Sequence, residues 1–250
     1  FFDKIKFMSL KMRFFYSPNF NLKKRKIKSI KYLIFHYTGM KNEKLALNKL
    51  CSFKSKVSSH YFITKKGKLI QLVPDLYIAW HAGESSWKNS KSLNNSSIGI
   101  EICNSGHQYN YPNFTQKQIK SLINLSKYLI KKYKIKKNCV LGHSDIAPDR
   151  KKDPGEKFPW EKLSKKKIGI WHNLSKTNLI KLRRLKLNSL EKESFKLKLK
   201  LIGYSINKKQ KNTSIINKVN KSFQRRFRPD LVNGIADKEC LFIAKKLVSL

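Results

Sequence analysis

The sequence predicts an α/β fold, with a mixed central β-sheet flanked by helices and a small all-α domain at the C-terminal end. Three observations carry this expectation. Short β-rich runs recur through the first 142 residues, and a long apolar stripe at helical spacing lies between the last two of them. Beyond about residue 200 only helical spacing remains.

Residues 31–38 read as a central strand, because Leu33, Ile34 and Phe35 form an apolar run suited to burial on both faces. A short helix is expected over 43–51. The runs 59–64 and 69–73 flank Lys65-Lys66-Gly67-Lys68 and predict a hairpin around the glycine. Residues 96–103 form another strand. Thr115 and Gln118 have the spacing of a capping box after the break at Pro112. The helix they open places Ile119, Leu122, Ile123, Leu129, Ile130 and Tyr133 on one stripe. Residues 138–142 then form a short strand that delivers His143. The polar stretch 172–190 is a linker or a basic helix. Further on, Ile215, Ile216, Val219, Phe223 and Phe227 repeat at helical spacing until Arg228-Pro229-Asp230, and a last helix starts near Asp237.

Composition narrows the function classes. With 56 basic against 15 acidic residues the chain carries a formal charge of +41, which invites a nucleic-acid reading. The excess is spread, however, with +23 over residues 1–160 and +18 over 161–250, and it is built from 48 Lys and only 8 Arg. Arginine is the better tool for bidentate phosphate and base contacts, so a solvated basic surface is preferred to a specific nucleic-acid partner. The four cysteines are widely spaced without a Cys-x-x-Cys pair, and they read as small buried hydrophobes. No apolar run reaches the roughly 18 residues of a membrane span. Residues 1–20 are aromatic but broken by Asp3, Lys4, Lys6, Lys11 and Arg13, which makes a poor signal peptide. The expected location is the cytoplasm, or an exported compartment such as the periplasm if a signal segment precedes Phe1; the expected state is a monomer.

The chemistry concentrates in Gly142-His143-Ser144-Asp145-Ile146-Ala147-Pro148-Asp149-Arg150-Lys151-Lys152-Asp153-Pro154-Gly155. His36 ends one predicted strand and His143 follows another, so the two can meet at one sheet edge. A loop carrying Pro148, Pro154 and Gly155 could fold Asp153 back towards them. A catalytic zinc takes three such protein ligands and keeps a fourth position for water. From the residues alone two readings stay open: a His36/His143/Asp153 zinc site, or two hydrogen-bonded core histidines and a turn aspartate. Glu101, in the apolar strand Ile98-Gly99-Ile100-Glu101-Ile102, is the candidate general base and acid, since burial there would raise its pKa towards neutrality; the alternative is a partnered structural carboxylate.

The blocks Phe35-His36-Tyr37-Thr38-Gly39-Met40, Ser59-His60-Tyr61, Ala79-Trp80-His81-Ala82-Gly83, Ser97-Ile98-Gly99-Ile100-Glu101 and the 142–155 segment with Phe158-Pro159-Trp160 occur in order. Together they resemble the zinc N-acetylmuramoyl-L-alanine amidases of the AmpD/AmiD type, with the amidase-2 or peptidoglycan recognition protein-like fold, from about Ser17 to Trp160. The resemblance implies one Zn2+ held by His36, His143 and Asp153. Related phage and recognition proteins place a cysteine where Asp153 stands here. It also implies Glu101 as base and acid and Lys151 as the oxyanion partner. On the substrate side it implies Trp80, His81 and Asn104, with His60 orienting the hairpin or a ligand through hydrogen bonds. Asp145 and Arg150 are expected to pin their loop internally, and His107 and His172 carry no signal. Leu201-Ile202-Gly203-Tyr204, Ser222–Pro229 and Gly234–Asp237 resemble, over a shorter span, a helical peptidoglycan-binding domain.

The expected organisation is an N-terminal extension (1–16), a catalytic domain (17–171), a basic linker (172–190) and a helical domain (191–250). The implied activity is hydrolysis of the amide between the lactyl group of N-acetylmuramic acid and L-alanine, in peptidoglycan or anhydro-muropeptides, during wall turnover or recycling. The rival from another class is a non-catalytic peptidoglycan-recognition protein on the same fold, which would have no need of Asp153 and Glu101.

Overall fold

A computed structural model describes residues 11–206 and 213–250. In chain order the elements are β1 (Met12–Phe14), β2 (Phe20–Asn21), β3 (Tyr32–Tyr37), α1 (Glu43–Cys51), β4 (Tyr61–Ile63), β5 (Leu69–Gln71), β6 (Ile78–Ala79), β7 (Ser86–Trp87), β8 (Ser90–Lys91) and β9 (Ser97–Ile102). They continue as α2 (Gln116–Tyr133), β10 (Val140–Gly142), α3 (His143–Ile146), α4 (Trp160–Ser164), α5 (Lys176–Leu182), α6 (Ser189–Ile202), α7 (Thr213–Phe227) and α8 (Lys238–Val248).

The main sheet has six strands in the order β1-β5-β4-β9-β3-β10. Only the β4–β5 hairpin is antiparallel; the other four pairings are parallel. Parallel neighbours need crossovers, and the crossover between β9 and β10 is α2. The Thr115/Gln118 capping box closes as expected, with both reciprocal hydrogen bonds made. Such a cap adds about 1 kcal/mol to the helix start.

Strand alternation sends the side chains to two cores. Leu33, Phe35, Ile98, Ile100 and Ile102 pack with Leu122, Leu125 and Leu129 of α2. Ile34 and Leu141 point the other way, into a cluster that continues through Trp87 and Ile146 to Phe195, Tyr204, Phe223 and Phe227. The C-terminal helices therefore share a core with the sheet. At the hairpin end, Ala46 and Leu50 of α1 cover Phe62, Ile70 and Leu72.

Some elements went beyond the expectation. Of the extension proposed over 1–16, residues 1–10 lie outside the described residues, while β1 pairs with β5 as a sheet edge. The stretch 172–190 contains α5. Helix α6 carries its own signal, a capping box of Asn188 and Glu191 ahead of Phe195, Leu199 and Ile202 at helical spacing. All four cysteines are free; Cys103 and Cys240 are buried, whereas Cys51 and Cys139 are partly exposed.

Candidate active site

Strand register assembles the site. His36 on β3 stands beside Glu101 on β9, and Gly142 of β10 stands beside Phe35, so that His143 emerges next to His36. Since Ile98, Ile100 and Ile102 face α2, Ser97, Gly99 and Glu101 lie on the same face as His36. Two glycines leave room. A Cβ on Gly99 would overlap the imidazole of His81, and a Cβ on Gly142 would come within 2.6 Å of Pro154 Cδ. Because both positions lack a side chain, His81 can lie over the sheet and the Asp153-Pro154 segment can fold against β10.

His36 Nδ1 lies 2.9 Å from His143 Nδ1 and 3.2 Å from Asp153 Oδ2, and His143 Nδ1 lies 3.1 Å from the same carboxylate oxygen. All three side chains are buried, and among the described residues they form the group able to hold a metal ion.

The protons can be assigned from the outer partners. His143 Nε2 is 3.1 Å from the Ala82 carbonyl, which can only accept, so Nε2 carries the hydrogen and Nδ1 is bare. The His36 proton is set by a relay of three groups. Ser97 Oγ donates to the Leu93 carbonyl at 2.6 Å, so it accepts from His81 Nε2 at 3.2 Å. His81 Nδ1 then accepts from His36 Nε2 at 3.0 Å, which leaves His36 Nδ1 bare as well. Two lone pairs and a carboxylate thus converge on one point. Burial first, and then the neighbouring His143, lower His36 to about 4, so the His36 ring is neutral at pH 7. Burial opposes ionisation of Asp153, and positive charge at its His143 and His36 contacts, which a bound cation would supply, holds its carboxyl well below the usual range. The donor set fits a divalent cation, and each histidine has the outer hydrogen bond that metal-ligating histidines make.

His143 and Asp153 line a cleft of about 460 Å³ together with Glu101, Lys151, Trp80, His81 and Arg150, and His36 Nδ1 is buried 2.9 and 3.2 Å from their donor atoms. Glu101 Oε2 is inaccessible and lacks a hydrogen-bond partner. Burial, joined by the charge on Asp153, raises Glu101 from 4.5 to about 8. The folded metal-free protein therefore keeps this proton in a pH range where the unfolded chain has released it. The stability this supplies is full below pH 4.5 and is lost as pH rises through about 8. Metal-free Glu101→Gln should accordingly melt several degrees higher than its parent at pH 8 and equally at pH 4.5, at about 1.4 kcal/mol per pH unit. Identical melting at pH 8 would contradict an unpartnered buried carboxyl.

Trp80 sits at the rim, with its indole N–H donating to Asn21 Oδ1 at 2.6 Å. His81 lines the cleft as expected, but its ring nitrogens are committed to His36 and Ser97, and Asn94 Oδ1 accepts from its backbone N–H. Two residues expected on the substrate side lie away from the cleft surface. His60 is 0% exposed and lies outside the cleft lining; its Nδ1 accepts from the Gly99 N–H and its Nε2 faces the Tyr77 carbonyl. These hydrogen bonds join the residue entering hairpin strand β4 to β9 and to the segment before β6. Asn104 is 2% exposed; its side chain donates to the Pro112 carbonyl and accepts from the Gly106 N–H, which ties the loop after β9. Arg150 does pin its loop, donating to the carbonyls of Ala82 and Glu84. His107, read as silent, lines the cleft, hydrogen-bonded to Tyr37 Oη at 2.8 Å and to Glu156 at 3.0 Å. Ser97 and Asn94 were not foreseen, because short polar residues carry no signal until the fold places a histidine beside them.

Residues 26–156 match the Amidase_2 family, described as N-acetylmuramoyl-L-alanine amidase. The chain belongs to this family. It is 37% identical to N-acetylmuramoyl-L-alanine amidase AmiD of Escherichia coli over 232 residues, spanning 88% of this chain and 82% of that protein. It is also 40% identical to the 1,6-anhydro-N-acetylmuramyl-L-alanine amidase AmpD of Haemophilus influenzae, over 44% of this chain and 58% of the relative. Among solved structures, that of E. coli AmiD, in complex with the substrate anhydro-N-acetylmuramic acid-L-Ala-D-gamma-Glu-L-Lys, superposes with a TM-score of 0.79 at 34% identity, covering 92% of each chain. AmpDh3 of Pseudomonas aeruginosa gives 0.76 at 28% identity, over 92% of this chain and 95% of the other.

The chain is an N-acetylmuramoyl-L-alanine amidase of the AmiD/AmpD type. The family match encloses His36, Glu101, His143, Lys151 and Asp153, whereas α5 to α8 lie beyond it. No described helix is long and apolar enough to cross a membrane.

Proposed function

We propose that this amidase uses one zinc ion, held by His36, His143 and Asp153, to hydrolyse the lactyl–L-alanine amide of peptidoglycan or anhydro-muropeptides in wall turnover. The observation that carries the proposal is the meeting of three bare donor atoms beside an unpartnered carboxyl in one cleft. Two imidazoles and one carboxylate form a set suited to zinc with a position left open. The muropeptide class is supported by the substrate bound to the E. coli relative.

Bound zinc supplies Lewis acidity that polarises the scissile carbonyl and lowers the pKa of water. The chain's own residues do the rest. Glu101 accepts the proton of the attacking water and passes it to the departing amide nitrogen, so that L-alanine leaves as an amine and the lactyl group as a carboxylate. Burial raises its hold on that proton, and a bound cation would bring it back towards neutrality, as two-way transfer requires. Lys151 places an ammonium near the carbonyl oxygen as negative charge develops there. Trp80 offers an aromatic face to sugar or peptide at the rim. The catalytic part over 17–171 performs these steps, and the helical part over 191–250 belongs to the same reading as a peptidoglycan-binding-like unit.

Exhaustive chelation should abolish hydrolysis, and one equivalent of zinc should restore it. Hydrolysis that persists after complete metal removal would defeat the metal-dependent reading.

A further inference from the structure

The short helix α3 begins with His143, and side chains from the C-terminal part of the chain hold the residues around that histidine, directly at Val140 and Ser144 and through Asp145 at Gly142. Asp145 is the hub. Its Oδ2 accepts from the Gly142 N–H at 2.8 Å and from Arg226 Nη1 at 2.5 Å. Its Oδ1 accepts from the Tyr204 hydroxyl at 2.7 Å. Arg226 Nη2 donates to the Val140 carbonyl at 2.9 Å, just ahead of the turn. On the other flank, Ser222 Oγ donates to the Ser144 carbonyl at 2.6 Å, and the Ser144 N–H donates to the Asp153 carbonyl at 2.8 Å. Ser144, which follows His143, is thus tied by its carbonyl to Ser222 of the helical unit and by its N–H to the Asp153 backbone, while Gly142, which precedes it, is tied to that unit through Asp145.

The arrangement is buried and charged. Asp145 is 1% exposed and Arg226 2%, and the guanidinium lies 4.3 Å from the Trp160 ring centre and 4.8 Å from that of Phe227. A buried pair of this kind is costly to break and directional, because the planar guanidinium meets the carboxylate and a backbone carbonyl in fixed geometry. The expectation that Asp145 pins its own loop captures only the Gly142 hydrogen bond; Asp145 also has two partners more than 50 residues further along the chain.

We propose that Arg226 and Tyr204 are positioning residues for the metal ligand His143, acting through Asp145, so that the metal site is completed by the C-terminal helical unit. This rests on the reading of His143 as a metal ligand. Partners behind a ligand change metal affinity by 10- to 100-fold when removed, because they set the direction of the donor atom. The helical unit is then part of the catalytic machinery's support, in addition to any wall contact it makes.

A structural role alone would destabilise the fold without touching the metal, so the test needs a matched control. Arg183 supplies one. It pairs with Glu239 at 2.7 and 2.8 Å and with Asp230 at 3.6 Å, all outside the His143 turn. Full-length wild type, Tyr204→Phe, Arg226→Lys and Arg183→Met would be compared by zinc competition against a chromophoric chelator and by the visible spectrum of the cobalt-substituted proteins, with melting temperature recorded alongside. Tyr204→Phe removes one hydroxyl, and it decides the matter if Arg226→Lys does not fold. The expected result is about 10-fold weaker zinc binding for Tyr204→Phe, a larger loss for Arg226→Lys and shifted cobalt bands in both. Arg183→Met should melt lower with unchanged zinc affinity. Wild-type zinc affinity and cobalt spectra in Tyr204→Phe and Arg226→Lys would overturn the proposal, as would an equal loss of affinity in Arg183→Met. A wild-type protein that binds no zinc would instead overturn the metal reading on which it rests.

Discussion

Asp153→Ala is expected to lose metal and turnover together, by about 10³-fold or more in rate. Asp153 brings the negative charge among three ligands, and its Oδ2 stands 3.1 to 3.2 Å from both histidine donors. Without it two neutral imidazoles remain, too few to hold zinc against dilution or to leave it in a fixed geometry. The metal is asked to supply several kcal/mol of transition-state stabilisation, and about 4 kcal/mol corresponds to ~10³ in rate. The Asp153 carbonyl still accepts from the Ser144 N–H in the variant, so the backbone path of the loop is kept. Metal content by atomic absorption, read beside circular dichroism, checks this. A folded Asp153→Ala protein with one zinc and parental turnover would remove Asp153 from the site.

Glu101→Gln is expected to separate the two functions that Asp153→Ala loses at once. Glu101 is held by β9 in register with His36, but its Oε2 makes no hydrogen bond and it is no part of the three-residue donor group. Glutamine keeps the shape and removes the proton acceptor. Zinc content should stay at one per chain while turnover drops by about 10² to 10⁴, the range for losing a general base. The drop should fall on kcat rather than KM, since the missing interaction is made with a proton in flight. Parental kcat in Glu101→Gln would show that another group moves the proton.

The sequence makes the strands and the capped helix α2 legible because each rests on local rules, whereas the donor set stays open between two readings until the resemblance is added. Leu33 to Phe35 are a continuous apolar run, Thr115 and Gln118 have the spacing of a cap, and His36, Glu101 and His143 end or interrupt apolar strands. The edge strand β1, the two short sheets and α5 carry no such pattern, being two to seven residues long. His60 and Asn104 show the limit for side chains: residue type and neighbourhood suggest a substrate contact, but the fold buries both and uses up their hydrogen bonds. The reverse happened at Asp145, Tyr204 and Arg226. Nothing near Asp145 in sequence announces a partner 81 residues away, because a buried ion pair becomes visible only once the helices dock. His81 lies between these cases. Its place in the cleft is legible, while its hold on His36 depends on the bare edge of Gly99.

What matters most is that the cleft lined by His143, Asp153 and Glu101, with His36 buried beside them, cuts one particular amide. The most direct test is mass spectrometry of the products when the zinc-loaded protein acts on soluble anhydro-N-acetylmuramyl peptides and, in parallel, on intact sacculi. The account predicts peptides with a free L-alanine amino terminus and a sugar fragment bearing the lactyl carboxylate, their summed mass exceeding the substrate by one water. Cleavage at any other bond, or none in either pool by a folded protein with zinc bound, would contradict it.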